Sequence, residues 1–262
     1  MTRQLPAGTC IRHAVNSVRN NIAYAFRISW PWYAVLIPAG IGAGLLADYV
    51  TGGNPEANPG ALLPVYLILI VINLVAFASI AVNWHRYILL DEVPRGSELF
   101  RLDDKTWRYF GNVVLLFLIL FAAALLFMVP VMILSSLSTI TGILAIFAVL
   151  FALPFAAISF CRLSVKLPAI ALGRRDFRLT DAWAVTKDNK QPIFFVVLFQ
   201  FLMAVGITLA LAVLLLGLIY ISPALGVVVA SIIQLVVGWI FTIFGITILT
   251  SLYGFFVEQR NF

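Results

Sequence analysis

Charge is what this sequence has least of: Asp, Glu, Lys and Arg together make up 11% of its 262 residues, where a soluble domain carries about 25%. Histidine and cysteine are scarce too, with two of each. His13 and His85 lie far apart, and neither a His-x-x-x-His nor a Cys-x-x-Cys pattern occurs, so no metal site is expected. The sequence has no P-loop, no Gly-x-Ser-x-Gly elbow and no strand pattern on which a Gly-x-Gly-x-x-Gly turn would sit. No cofactor and no catalytic residue are expected. Between the apolar runs no polar segment exceeds about thirty residues, too few to bury an independent core, which excludes a large water-soluble catalytic domain.

What the chain has instead is apolar length. Hydrophobic residues make up 63% of it and its mean hydropathy is +1.06. A membrane-crossing helix needs about 20 mostly apolar residues. Six runs meet that test: Trp30 to Ala47, Leu63 to Trp84, Phe110 to Leu134, Ile140 to Cys161, Ile193 to Leu216 and Ala224 to Tyr253. The reading is an all-α polytopic membrane protein. With six spans, all 17 Lys and Arg fall on one side with nine acidic residues, a local excess of +8, while Asp48 and Glu56 leave −2 on the other, giving the net +6. Cations accumulate on the cytoplasmic side, so both termini are expected there, in a bacterial inner membrane. The same asymmetry accounts for the basic pI, and nucleic acid is not an expected partner. The first thirty residues do not read as a cleavable signal. Cys10 and Cys161 both map to the reducing side, where no disulfide is expected.

Three amphipathic helices are expected at the inner surface. Ile11, Val15, Val18, Ile22 and Phe26 recur at helical spacing before the first span. Leu99, Leu102 and Trp107 follow Ser97 as a potential N-cap, and Thr180 and Asp181 precede Trp183. These three segments suggest one element used three times, as surface helix plus hairpin, over residues 9–92, 93–175 and 176–262. The echo of Val18-Arg-Asn-Asn in Thr186-Lys-Asp-Asn fits that division.

Candidate site residues are sparse, because the span interiors carry no charge. Asn73, Gln200 and Gln234 are polar groups inside spans; Gln200 and Gln234 are placed to bond one another, and the alternative is that all three line a weakly polar cavity. At the inner interface Arg86, Arg162 and Lys166 read either as generic anchoring cations or as an anionic lipid headgroup site, with Asp91 and Glu92 able to accept from them. Trp84, Trp107 and Trp183 are the expected interfacial anchors. Pro38, Pro130 and Pro154 fall within spans and should kink them, and Gly40 and Gly44 form a Gly-x-x-x-Gly pattern that reads as helix packing.

The stretch Arg162-Leu-Ser-Val-Lys-Leu-Pro-Ala-Ile-Ala-Leu-Gly173, followed by Leu179-Thr-Asp-Ala-Trp-Ala-Val-Thr186, resembles a pattern found in bacterial six-span membrane proteins. In these an arginine-bearing helix end, a Leu-Pro-Ala turn and an Ala-Trp-x-x-Thr surface helix recur. The chain is similar to the membrane domain attached to some glycerophosphodiester phosphodiesterases and to the YciC-type inner-membrane proteins. The resemblance covers about twenty-five residues and implies a plasma-membrane location and an all-helical fold. It transfers no chemistry: His85-Arg86 matches part of that enzyme's motif, but the acidic metal ligands and the soluble domain have no counterpart. The leading expectation is a non-enzymatic accessory or organising subunit, in contact with lipids and another membrane protein. The alternative is a transporter or carrier of a lipid or small amphiphile.

Overall fold

The computed structural model describes residues 3–54, 59–136 and 138–261. Among the described residues six helices are long and apolar enough to cross a membrane: α2 (Ile22–Thr51), α3 (Leu63–Leu90), α4 (Asp104–Ser135), α5 (Thr139–Ser164), α8 (Lys190–Ile221) and α9 (Pro223–Phe256). Three shorter helices, α1 (Ala7–Asn20), α6 (Lys166–Ala171) and α7 (Leu179–Val185), and two 3-10 turns complete the secondary structure of the described residues. The fold is all-α and polytopic. Consecutive long helices pair as hairpins α2–α3, α4–α5 and α8–α9, and the hairpins meet where α3 packs on α4 and α9 and where α5 packs on α8.

That meeting is confined to one half of the molecule, the end that carries the cationic loops. There Trp84, Tyr109, Tyr253, Ile170, Ile193 and Ile246 are fully buried. Toward the other end the same helices are exposed, even α3, whose Leu67, Ile68 and Val71 all stand at least half open although Ala78 to His85 on the same helix are buried. Between helices in lipid the drive to associate is packing and hydrogen bonding rather than expulsion of apolar surface, because the solvent is itself apolar. The opposite halves therefore stand as separate arms without penalty in a bilayer.

Each hairpin end is fastened to the next by an arginine. Arg86 at the end of α3 donates to the Ala171 carbonyl of α6 at 3.0 Å. Arg174, just past α6, lies 3.8 Å from Glu258 after α9. Arg260 closes the ring by donating to the Leu89 carbonyl of α3 at 2.8 Å. The Arg86 and Arg260 contacts satisfy helix-terminal carbonyls that have no partner within their own helices. A second correspondence lies at the entrances of α2 and α8. Asn21 and Asn189 precede these helices with nearly the same backbone, φ −121° and ψ 23° against φ −110° and ψ 23°.

Several expected boundaries change. The stripe from Ile11 to Phe26 is not one helix, because α1 ends at Asn20 and α2 already begins at Ile22, so the first span has 30 residues instead of running from Trp30 to Ala47. α1 buries Cys10, Ala14 and Val18 against the rest of the protein, mainly α9 and α8, while Val15 remains exposed. The segment behind Ser97 is a 3-10 turn, Gly96–Phe100, and α4 is capped by Asp103, whose carboxylate accepts from the Thr106 N–H at 3.1 Å. Thr180 does not cap α7; Arg178 occupies the N-cap, and its N–H is bonded by Asp181 at 2.7 Å, as the Arg95 N–H is by Glu98 at 2.9 Å. The helices continue through Pro38, Pro130 and Pro154. Gly40 and Gly44 meet no neighbouring atoms, so within this chain their pattern packs against nothing. Part of the expected connector from Thr51 to Gly60, including Glu56, lies outside the described residues.

Candidate functional site

A cavity of about 390 Å³ lies among α3, α4, α5, α6, α8 and α9, at the boundary between the packed half and the separated arms. Its walls are apolar, with Phe77, Phe117, Phe160 and Phe241 among them, and Leu167 contributes from α6. Four residues with polar side-chain groups line it: Gln200, Thr242, Ser164 and Cys161. Thr242 spends its hydrogen on the Gly238 carbonyl at 2.9 Å, whereas the buried Ser164 Oγ has no partner in the protein. No charged side chain lines the space, and a Cβ added at Gly245 in its wall would meet nothing within 4 Å. A mostly apolar volume of a few hundred Å³ with a few convergent polar groups is the usual form of a small-ligand site.

Of the three polar residues expected inside the spans, only Gln200 lines this cavity. Asn73 is exposed and donates to the Leu69 carbonyl of its own helix at 2.8 Å. Gln234 is exposed on α9, and no hydrogen bond joins it to Gln200. The expected Gln200–Gln234 pair is therefore not formed, and the three residues share no space. The reason is the separation of the arms. A residue several turns from the packed end, such as Gln234, faces outward because no helix stands opposite it.

The interfacial cations are also redistributed. The Arg86 guanidinium is paired with the Glu92 carboxylate through Nε at 2.9 Å and through Nη2, and Arg101 Nη2 binds the same carboxylate at 2.7 Å. With the Ala171 contact, each of the three Arg86 guanidinium nitrogens already donates within the protein. The two guanidinium groups, Arg86 foremost, pull the Glu92 carboxyl down to about 2. Arg162 is 2% exposed; Nε donates to Thr186 Oγ1 at 2.9 Å, Nη2 to the Trp183 carbonyl at 2.8 Å, and its carbon lies 3.6 Å from the Trp183 ring centroid. Thus Arg162, Ala182, Trp183 and Thr186, which the sequence sets apart as a pattern, form one contact between α5 and α7. Lys166 is half-buried at the start of α6, apart from both arginine networks. The trio Arg86, Arg162 and Lys166 does not converge on one site.

Trp84 is not an interfacial anchor, because it is fully buried with Tyr24 and Tyr87 beside it. Trp107 and Trp183 are 50% and 43% exposed at the cationic end. His85, beside Trp84, is also fully buried, with Nδ1 2.8 Å from Thr250 Oγ1 and Nε2 3.2 Å from Tyr109 Oη. Cys10 and Cys161 are free and buried, and among the described residues no group of three or more His, Cys, Asp or Glu converges as metal ligands would.

Sequence reasoning missed the cavity because its wall is Phe, Leu, Ile and Val drawn from six helices, indistinguishable in one dimension from lipid-facing residues. The chain matches no known protein family, no curated protein and no solved structure.

Proposed function

We propose that this chain is a non-enzymatic, multi-pass protein of the bacterial inner membrane, with both termini cytoplasmic, that binds the apolar chain of a lipid or small amphiphile. The cavity carries this reading. It has no charge, its walls are aromatic and aliphatic, and its amide and hydroxyl groups suit a neutral polar group on an otherwise apolar ligand. Trp107 and Trp183 serve as interfacial anchors on either side. The resemblance to membrane domains of phosphodiesterases that act on glycerophosphodiesters is in keeping with lipid as the neighbouring chemistry.

The test is to fill the space. Gly245→Leu places a side chain in open volume, and mass spectrometry of the protein released from detergent reports what stays bound. The reading expects wild type to retain a lipid or amphiphile that Gly245→Leu loses at unchanged thermal stability. Equal retention by both proteins overturns it.

The exposure of the arms favours a second reading, an accessory subunit that receives partner helices. Gly40 and Gly44 meet no neighbour, and Leu67, Ile68 and Val71 are open on a helix buried at its other end. A stoichiometric membrane protein recovered after gentle solubilisation, and lost with Gly40→Leu, supports this role.

A further inference from the structure

Arg162 is nine-tenths buried and more, yet among the described residues its Nη1 makes no hydrogen bond, while Nε and Nη2 donate to Thr186 and Trp183. Arg162 also lines a crevice of about 320 Å³ between α5, α7 and α8. Three further residues that carry donors line the same crevice: Ser159, Lys190 and Gln191. Lys190 and Gln191 also open α8, so their backbone N–H groups have no carbonyl one turn back within that helix. No carboxylate lines the crevice. Asp188, whose charge is felt by Arg162, is exposed and stands outside the wall.

The other part of the crevice is apolar. Phe155, 60% exposed, and Phe194 continue the wall along α5 and α8, away from the cationic end. Donors at one end and a phenyl-lined groove at the other match a molecule with an anionic head and a hydrocarbon tail, lying at the depth where headgroups meet acyl chains. The geometry points to a binding site for one anionic phospholipid, its phosphate held by Arg162, Lys190 and the start of α8, and its chain along Phe155 and Phe194. This site is on the opposite face of α5 from Cys161 and Ser164, so it is independent of the cavity and survives failure of the proposal made for it.

Arg162 also holds α7, so Lys190 is the residue to change. Its side chain is exposed and makes no ion pair or hydrogen bond among the described residues. Purified full-length protein is delipidated in a neutral detergent, and its melting temperature is followed as phosphatidylglycerol or phosphatidylcholine is added. Phosphatidylglycerol should raise the melting temperature saturably and phosphatidylcholine should not. Lys190→Glu should weaken the phosphatidylglycerol midpoint roughly fivefold or more, whereas Arg12→Gln, an exposed cation removed from α1, should leave it in place. Native mass spectrometry should show one tightly retained phosphatidylglycerol in wild type. Equal response to the two lipids, or an unchanged midpoint in Lys190→Glu, overturns the site. An equal stabilisation by millimolar inorganic phosphate alone overturns the lipid assignment in favour of a free-anion site.

Discussion

The Arg162 guanidinium carbon lies over the ring of Trp183, 3.6 Å from the centroid, and the same guanidinium donates to the Trp183 carbonyl at 2.8 Å. One side chain from the end of α5 thereby fixes both the face and the backbone of α7, a helix of seven residues that could not persist alone. Planarity is essential, because a guanidinium can stack and donate along its edge at once whereas an ammonium cannot.

Arg162→Lys should consequently destabilise the protein by about 2 kcal/mol, the loss of two hydrogen bonds and a stacked cation. Thermal denaturation in detergent measures the loss, and protease cutting between α6 and α8 should appear in the variant before the rest of the protein unfolds.

Glu92 joins Arg86 to Arg101, and its carboxyl is held down at about 2 against an ordinary 4.5. A depressed carboxylate contributes stability that is fully present above the unfolded value and is lost as pH falls through the folded one. Wild type should therefore lose melting temperature between about pH 4.5 and 2, with a shallower fall in Glu92→Gln. At pH 7, Glu92→Gln should cost about 1 kcal/mol, a value reduced for the partial exposure of the pair.

Gly226 is where α8 and α9 touch after a connection through Ser222 alone. A Cβ there would lie 2.5 Å from the Ile219 side chain and 2.8 Å from its Cα. Backbone cannot step aside as a side chain can, so Gly226→Ala should destabilise by about 1–3 kcal/mol. Gly238→Ala on the same helix meets nothing within 4 Å and should be neutral. Melting temperatures of the two variants provide the comparison.

The Cys10 thiol is buried on α1, which pushes it up to about 12, with Cys161 adding to the shift. Since the thiolate is the reactive form, Cys10 should react with maleimide roughly a thousandfold more slowly than an ordinary cysteine at the same pH. Mass spectrometry of labelled protein should show no modified Cys10 in native vesicles and complete modification after denaturation. Rapid labelling of Cys10 in the native state would show that α1 lifts from the bundle.

The number and type of the long helices were readable from sequence because both follow from one-dimensional properties: apolar length set against bilayer thickness, and the segregation of cations. The pattern Arg162, Trp183 and Thr186 was visible too, although not that its members touch. Which polar residues face each other was not readable, because Gln200 and Gln234 differ only in whether another helix stands opposite. Trp84 and Trp183 both follow an apolar face at the cationic end, yet one is buried and the other 43% exposed. Composition thus decided that this chain spans a membrane and with how many helices. Only the tertiary structure decided where the hairpins converge, since packing and hydrogen-bond geometry, not hydrophobicity, select helix partners when every long helix is apolar. From that convergence came the ring of Arg86, Arg174 and Arg260, the cavity beneath it, and the inward commitment of Arg86 and most of Arg162.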